Sequence, residues 1–326
     1  MSQMKSMPVL DITSEATLKS CGSLPPRPGD VFICSYPKSG TTWMQNIVVT
    51  LGLRGKSFSH ISQYSPFYDI DPHWEGSSFS SQFDQAFREF GRRIFNTHLR
   101  WEQLPGNQDT RYIYVVRDGK DAVHSFYQHL SHQVGGFEGS FDDFFQEWML
   151  GKIPYGRWVD HIKSFEAATA DSRVLFVRYE DMKDDLGHEV ARIAAHLQIP
   201  LTTQELEDIL PNFSMSSMKA RKSQFQPISV EWKGSFEFIR KGTVGDSEQT
   251  FNKEKVSKFN ESVQEMFPRG LPAFCCPSSS SSADGQKKCD EMKMQTENLI
   301  PQGRNMLLVF SAALLVLLPM WTLARR

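Results

Sequence analysis

Apolar and polar positions along the chain change period at regular intervals. The run Val31-Phe-Ile-Cys34 is short and continuously apolar, the pattern of a buried strand, and it breaks into a polar turn marked by Pro37 and Gly40. Trp43, Met44, Ile47, Val48 and Leu51 then repeat with helical spacing. Two more runs, Arg111-Tyr-Ile-Tyr-Val-Val116 and Arg173-Val-Leu-Phe-Val177, are rich in β-branched and aromatic residues and lead through polar residues into helix-like spacing. Strands alternating with helices predict an α/β fold, a single domain with a central parallel sheet flanked by helices. Ligands of such sheets bind beyond the carboxyl ends of the strands, where the segments after Cys34, Val116 and Val177 converge.

Outside this periodic region the pattern is different. Residues 1–28 are polar with a Pro-rich end and read as an N-terminal extension, and residues 29–274 carry the alternating elements. Pro277-Ser-Ser-Ser-Ser-Ser-Ala-Asp-Gly285 lacks the means to bury a core, so 275–304 reads as a linker. Residues 305–324 follow, with an uncharged run from Met306 to Leu323 between Arg304 and Arg325-Arg326. At about 1.5 Å per residue the run is roughly 27 Å long, close to a bilayer core. A buried core helix and a removable lipid-anchor signal are the competing readings. A serine linker argues against the first, and the absence of an apolar signal-peptide core in Met1 to Met7 argues against the second. The expectation is a single-pass C-terminal tail anchor with the folded domain in the cytoplasm, the endoplasmic reticulum being the first membrane to test.

Composition narrows the function. The chain has 326 residues, 40% of them hydrophobic, enough for a sizeable core. Its 36 Lys and Arg nearly balance 38 Asp and Glu, so no nucleic-acid surface is expected and useful cations should be gathered in one site. Five cysteines, an odd number without metal-ligand spacing, point to a reducing compartment and no metal. Cys34, inside the first strand, is expected to be a small buried hydrophobe.

The turn between the first strand and helix carries the candidate chemistry. Ser39, Thr41 and Thr42 fall at a helix N-terminus, where free N–H groups and the helix dipole favour an anion, and Lys38 adds a formal positive charge. The nucleotide-triphosphate loop G-x-x-x-x-G-K-S/T needs two glycines with Lys after the second. Here Lys38 precedes the only one, which argues against a kinase or GTPase.

Tyr36-Pro-Lys-Ser-Gly-Thr-Thr-Trp43 resembles the 5′-phosphosulfate-binding loop of the cytosolic sulfotransferases, which transfer a sulfonate from 3′-phosphoadenosine 5′-phosphosulfate (PAPS) to a small acceptor. Further segments resemble that family in the same order between residues 28 and 274. Arg111 to Tyr127 is similar to its 3′-phosphate segment, which implies roles for Arg117 and Ser125. Phe238-Ile-Arg-Lys-Gly-Thr-Val-Gly-Asp246 is similar to Arg-Lys-Gly-x-x-Gly-Asp-Trp, with Ser247 in place of Trp, and implies donor contacts from Phe238, Ile239, Arg240, Lys241 and Gly242. Phe95-Asn-Thr-His98 resembles the Lys-Thr-His segment and makes His98, one of nine histidines, the implied base, with Asn96 in place of Lys. Arg178-Tyr-Glu-Asp-Met182 implies Tyr179 on the adenine side, and Tyr155-Gly-Arg-Trp-Val-Asp-His161 also matches. Phe213-Ser-Met-Ser-Ser-Met-Lys219 resembles Thr-Ser-Phe-x-x-Met-Lys, which implies Ser214 and an adenine held between Trp43 and Met215. The family's dimer motif would fall at Glu248, Asn252, Lys253 and Ser257 and is absent, so dimerisation is not carried over.

The implied mechanism is an in-line transfer. His98 takes the acceptor proton, Lys38 stabilises the departing phosphate, and Ser125 holds Lys38 aside until the acceptor arrives. The rival is a membrane-tethered nucleotide-binding pseudoenzyme of the same fold. Asn96, Met215 and Ser247 favour it, whereas intact Lys38, His98, Arg117, Ser125 and Arg240 oppose it. The acceptor, a hydroxyl or amine compound, is not specified by these motifs. The aromatic stretches Phe58 to Phe90 and Phe137 to Trp148 are expected to line an apolar pocket, though core packing would explain the same residues.

Overall fold

A computed structural model of the protein describes residues 7–277. The tail expected at 305–324 and the linker from Ser278 onward lie outside the described residues. Among the described residues no helix is long and apolar enough to cross a membrane.

Four parallel strands make the central sheet: β1 (Val31–Ser35), β2 (Ile94–Thr97), β3 (Arg111–Val116) and β4 (Val174–Arg178), in the order β2-β1-β3-β4. Val31 pairs with Ile94 on one side and Arg111 on the other, and Tyr112 pairs with Val174. Every residue of β1 is buried, as a central parallel strand covered on both faces requires. The predicted parallel α/β sheet is present. Its pattern anticipated β1, β3 and, shifted by one residue, β4. It did not anticipate β2, which has only Ile94 and Phe95 as apolar residues between Arg93 and Asn96.

The sheet separates two unlike layers, because successive side chains of a strand face opposite ways. Phe32 and Cys34 join Phe95, Tyr112 and Tyr114 in an aromatic layer, while Val31 and Ile33 join Ile94, Ile113 and Val115 in an aliphatic one. The surrounding helices include α1 (Glu15–Ser23), α2 (Thr41–Gly52), α3 (Gly119–Ser131), α4 (Phe141–Met149), α5 (Trp158–Glu166) and α6 (Leu186–His196). Phe144 and Trp148 of α4 and Phe165 of α5 pack in the aromatic layer; Ile47 and Val48 of α2 and Val190 and Ile193 of α6 pack in the other. Burial of each such side chain stabilises the fold by about 1.5–3 kcal/mol.

Cys34 is fully buried in this core and its thiol is pushed well up by burial, so it acts as a hydrophobe. The residues ahead of β1 belong to the same body. Ser14 caps α1, and Cys21 and Leu24 are buried in the aromatic layer. Of the aromatic stretches, Phe58, Phe83, Phe87 and Phe90 are core, as are Phe144, Phe145 and Trp148, whereas Phe67 and Phe137 reach the cleft described below.

Candidate active site

The carboxyl ends of β1, β2 and β3 open into one cavity of about 1110 Å³. The turn from β1 into α2 forms its floor. Lys38 (φ 65°) and Gly40 (φ 105°) are both left-handed there. A Cβ on Gly40 would lie 2.7 Å from the Tyr179 ring, so this position admits only glycine. Lys38 is a non-glycine residue in that region, strain of a kind that collects at functional sites. The turn rolls Ser39 inward: its side chain is fully buried, it does not line the cavity, and its hydroxyl has no partner. Thr41 is held by the Ser35 hydroxyl at 2.6 Å.

Every other predicted site residue reaches the cavity: Lys38, Gly40, Thr41, Thr42 and Trp43 from the loop, His98 after β2, Arg117 after β3, Ser125 on α3, and Tyr179 after β4. Ser214 and Met215, and Phe238, Ile239, Arg240, Lys241 and Gly242, approach from the far side. Trp43 meets Tyr179 edge-on at 5.4 Å, and its indole Nε1 is buried without a partner. Met215 lies over Gly242, where its Cε sits 1.9 Å from the place a Cβ would take. Ser214 is engaged as the N-cap of the short helix Met215–Ala220.

Arg117 ties the loop to the segment that closes over it. Its guanidinium donates to the Lys38 carbonyl at 3.1 Å and to the Thr243 carbonyl at 3.0 Å, and lies 4.5 Å over the Tyr179 ring. Its Nε is buried without a partner. Arg240 and Lys241 are both paired with Asp246, so their charge is pre-aimed by a carboxylate. Asp121 of α3 accepts from the backbone N–H of Gly245 at 2.8 Å and of Ser247 at 2.9 Å. These bonds order the flap although Ser247 replaces the tryptophan of the family pattern. Asp118 caps α3 by accepting from the Lys120 and Asp121 N–H groups.

His98 is held from three directions. Its Nδ1 donates to the Ser35 carbonyl at 2.8 Å, which makes Nε2 the lone-pair nitrogen. The ring lies between the edges of Phe67 at 5.4 Å and Tyr155 at 5.2 Å. Its backbone carbonyl accepts from His161 Nε2 at 3.1 Å. Burial, opposed by the Ser35 bond and assisted by the Lys38 charge, pushes His98 down to about 4 and keeps it neutral at pH 7. The Tyr155 to His161 segment braces both halves, since the Gly156 carbonyl accepts from Tyr36 of the loop at 2.8 Å.

Two side chains that carried no motif signal complete the site. Asp69 is fully buried behind His98, accepts from Thr97 at 2.7 Å and Tyr155 at 2.8 Å, and is pushed up to about 6 by burial despite these bonds. His129 lies 3.5 Å from the Lys38 ammonium, which also sits 4.0 Å over the Phe238 ring. The Lys38–Ser125 contact expected from the family mechanism is not formed; Ser125 lines the cavity one helical turn away from His129, and His129 takes the lysine. Asn96, in place of the family's lysine, lines the cavity and donates to the Ser65 carbonyl at 2.7 Å.

Residues 28–270 match the family model described as Sulfotransferase domain. Sulfotransferase 1C2 of Rattus norvegicus is 31% identical over 260 residues, 76% of this chain and 86% of its own length. The chain belongs to the sulfotransferase family. Its reaction class is sulfonate transfer from PAPS to a small acceptor, and it is an enzyme of that class. Sulfotransferase 1E1 of the same organism is 32% identical, over 73% of this sulfotransferase and 83% of its own chain. Among solved structures, mouse sulfotransferase SULT7A1 complexed with PAP has a TM-score of 0.65 at 25% identity, covering 88% of this chain and 96% of that one. Retinol dehydratase in complex with retinol and PAP has a TM-score of 0.67 at 21% identity, covering 79% and 87%, and shares the fold. Among the described residues no cluster of side chains fits a metal ion.

Proposed function

We propose that this cavity holds the donor against the loop Lys38 to Trp43 and the acceptor against His98, and that His98 is the general base of the transfer. The observation that carries this reading is the Nδ1 bond to the Ser35 carbonyl, which fixes the tautomer and leaves Nε2 to accept the proton of an attacking hydroxyl or amine. The donor's fit rests on buried polar atoms of cavity-lining residues that the protein leaves without partners, Trp43 Nε1 and Arg117 Nε, beside the open N-terminus of α2. Thr41, Thr42, Arg117, Arg240 and Lys241 would hold the phosphates, with Ser125, Gly242 and Ile239 beside them. Trp43, Tyr179, Ser214, Met215 and Phe238 would surround the adenosine side. Lys38 meets the negative charge that grows on the leaving phosphate oxygen as the sulfur–oxygen bond breaks.

The acceptor end is apolar. Leu10 and Ile12, Phe67, Ile70 and Ile153 line it, which favours an acceptor with a hydrophobic body and one hydroxyl or amine. Labelled PAPS offered with phenols, sterols, aliphatic alcohols and amines in turn identifies the class, and transfer to none of them by folded protein would contradict the reading. The intact His98 geometry leaves the pseudoenzyme reading without structural support.

The uncharged run Met306 to Leu323 supports a tail anchor for this domain, with the catalytic part in the cytoplasm. Cells expressing the full chain and a version ending at Gln286 separate the cases. The full chain alone should stay in carbonate-washed membranes, and recovery of both forms in the soluble fraction would end the anchor proposal.

A further inference from the structure

The flap that carries Arg240 and Lys241 has Ser247 where the family pattern has a tryptophan after the aspartate, and its seat lies on α3. Asp121 and His124 stand three residues apart on one face of that helix. Asp121 accepts from the Gly245 and Ser247 N–H groups, and the buried His124 lies against Asp246 and Thr250. Hydrogen bonds fix its tautomer. The Thr250 hydroxyl donates its one proton to the Ser247 carbonyl at 3.1 Å, so it accepts from His124 Nδ1 at 3.0 Å. In the neutral ring Nε2 then carries the lone pair, and it faces Asp246 Oδ2 at 3.4 Å without a hydrogen bond. A lone pair and a carboxylate oxygen buried side by side repel each other until a proton joins them.

We propose that His124 is a positioning residue of the donor flap: when the donor binds, Nε2 takes a proton from solvent and the imidazolium holds Asp246 while Arg240 and Lys241 turn to the phosphates. The proposal rests on the donor assignment above. Asp246 holds Arg240, Lys241 at 3.0 Å and Gln249 at 3.0 Å, so a phosphate must compete with this carboxylate for its two cations. The charged groups around His124 are Asp121, itself 3.7 Å from Arg117, and Asp246, Arg240 and Lys241 of the flap; the uncharged Phe141 ring of α4 lies 6.2 Å away. Burial and then the Arg240 charge drive His124 below its ordinary range, with Lys241 adding to them and Asp246 and Asp121 opposing. A phosphate beside Arg240 and Lys241 offsets their charge and so raises the proton affinity of the imidazole. The proton in turn gives Asp246 a partner in place of the cations it yields, so donor and proton bind cooperatively. Because the proton affinity rises on binding, the gain in donor affinity is full below the free-state value of His124 and is lost as pH rises through the bound-state value.

The test is calorimetry of the full chain with 3′,5′-bisphosphoadenosine at about pH 6.5, the ordinary histidine value, in buffers of different ionisation heat so that protons taken up are counted. Proton exchange at the phosphates and at Lys38 is common to every protein compared, and the difference between proteins reports His124. His124→Asn keeps an amide donor where Nδ1 was and places nothing at Nε2. It should take up fewer protons than wild type and bind about tenfold more weakly near pH 6, the scale of one charge-assisted hydrogen bond, with the gap closing by about pH 9. His124→Gln, whose amide donor falls near the Nε2 position but does not titrate, should bind closer to wild type with the same proton deficit. Equal proton counts in wild type and His124→Asn, or an affinity gap as wide at pH 9 as at pH 6, overturn the proposal. A second measurement needs no folded variant. Nitrogen-15 spectra of wild-type imidazoles at about pH 6.5 should show His124 protonated at Nδ1 alone in the free protein and at both nitrogens with saturating bisphosphate; an Nε2 resonance that the bisphosphate leaves unchanged overturns the proposal. Folded wild type that binds no bisphosphate defeats the donor assignment and this proposal with it, whereas binding without a proton difference defeats the proposal alone.

Discussion

On the proposed donor side of the cleft the chain is held by backbone: Arg117 donates to two carbonyls, Asp121 accepts from two flap N–H groups, and Gly40 and Lys38 set the loop by their left-handed φ. On the proposed acceptor side the wall is made of single side chains from separate segments, Leu10 ahead of α1, Phe67 before β2, Val134 after α3, and Ile228 in the 227–232 segment. Val134 is 47% exposed and Ile228 75% exposed, so this wall is open at its rim. A fixed polyanion can be recognised by charge and N–H geometry that tolerate no change. An apolar body needs only volume and contact, and any of several side chains can supply them.

The largest expected effect lies where the two sides meet. His98→Ala should lower transfer by about 10²–10⁴-fold, the range of general-base catalysis. Sulfonate transfer to an acceptor found in the screen measures it, and wild-type turnover in the variant would remove His98 from the mechanism. Next in size are Lys38→Ala and Arg117→Ala, each expected to weaken bisphosphoadenosine binding about tenfold or more through lost charge-assisted contacts. Equal loss from Ile228→Ser would break the distinction between the two sides.

Gly40→Ala should destabilise the fold by about 1–3 kcal/mol, because the added Cβ meets Tyr179 in a left-handed conformation. Thermal melting of the two proteins checks it, and Ile228→Ser, on an exposed side chain, should melt within about 0.5 kcal/mol of wild type.

The pH profile sharpens the comparison further. Burial first, then Arg117 and Arg240, push Lys38 down to about 7, and burial pushes His98 down to about 4. The proposed transfer needs His98 neutral and Lys38 charged. Activity as kcat/KM should therefore fall as pH drops through about 4 and fall again as pH rises through about 7. Lys38→Arg, which stays charged, should lose the upper limb; an upper limb retained at the same pH would assign it to another group.

The segments proposed to hold the donor stand out in the sequence because their residues are contiguous. Tyr36 to Trp43 and Phe238 to Asp246 each bring their chemistry in one stretch, with glycines and cations where backbone approach and charge are needed. Asp69 and His129 were not legible, for a physical reason: each acts through a partner far along the chain, Asp69 through Tyr155 and His129 through Lys38. His129 alone left a trace, its four-residue spacing from Ser125 on an amphipathic helix. Strand β2 escaped notice because it carries two apolar residues; of the apolar wall the expected aromatic stretches contribute Phe67 and Phe137, whereas Leu10, Val134 and Ile228 lie outside them on separate segments.

Calorimetry with 3′,5′-bisphosphoadenosine tests the division of labour most directly, using wild type, Lys38→Ala and His98→Ala. Wild type and His98→Ala should bind with nearly the same affinity and Lys38→Ala more weakly, because the proposed assignment sets the lysine against the nucleotide and the histidine against the acceptor. Folded wild-type protein that gives no heat, or a His98→Ala protein as weakened as Lys38→Ala, would contradict it.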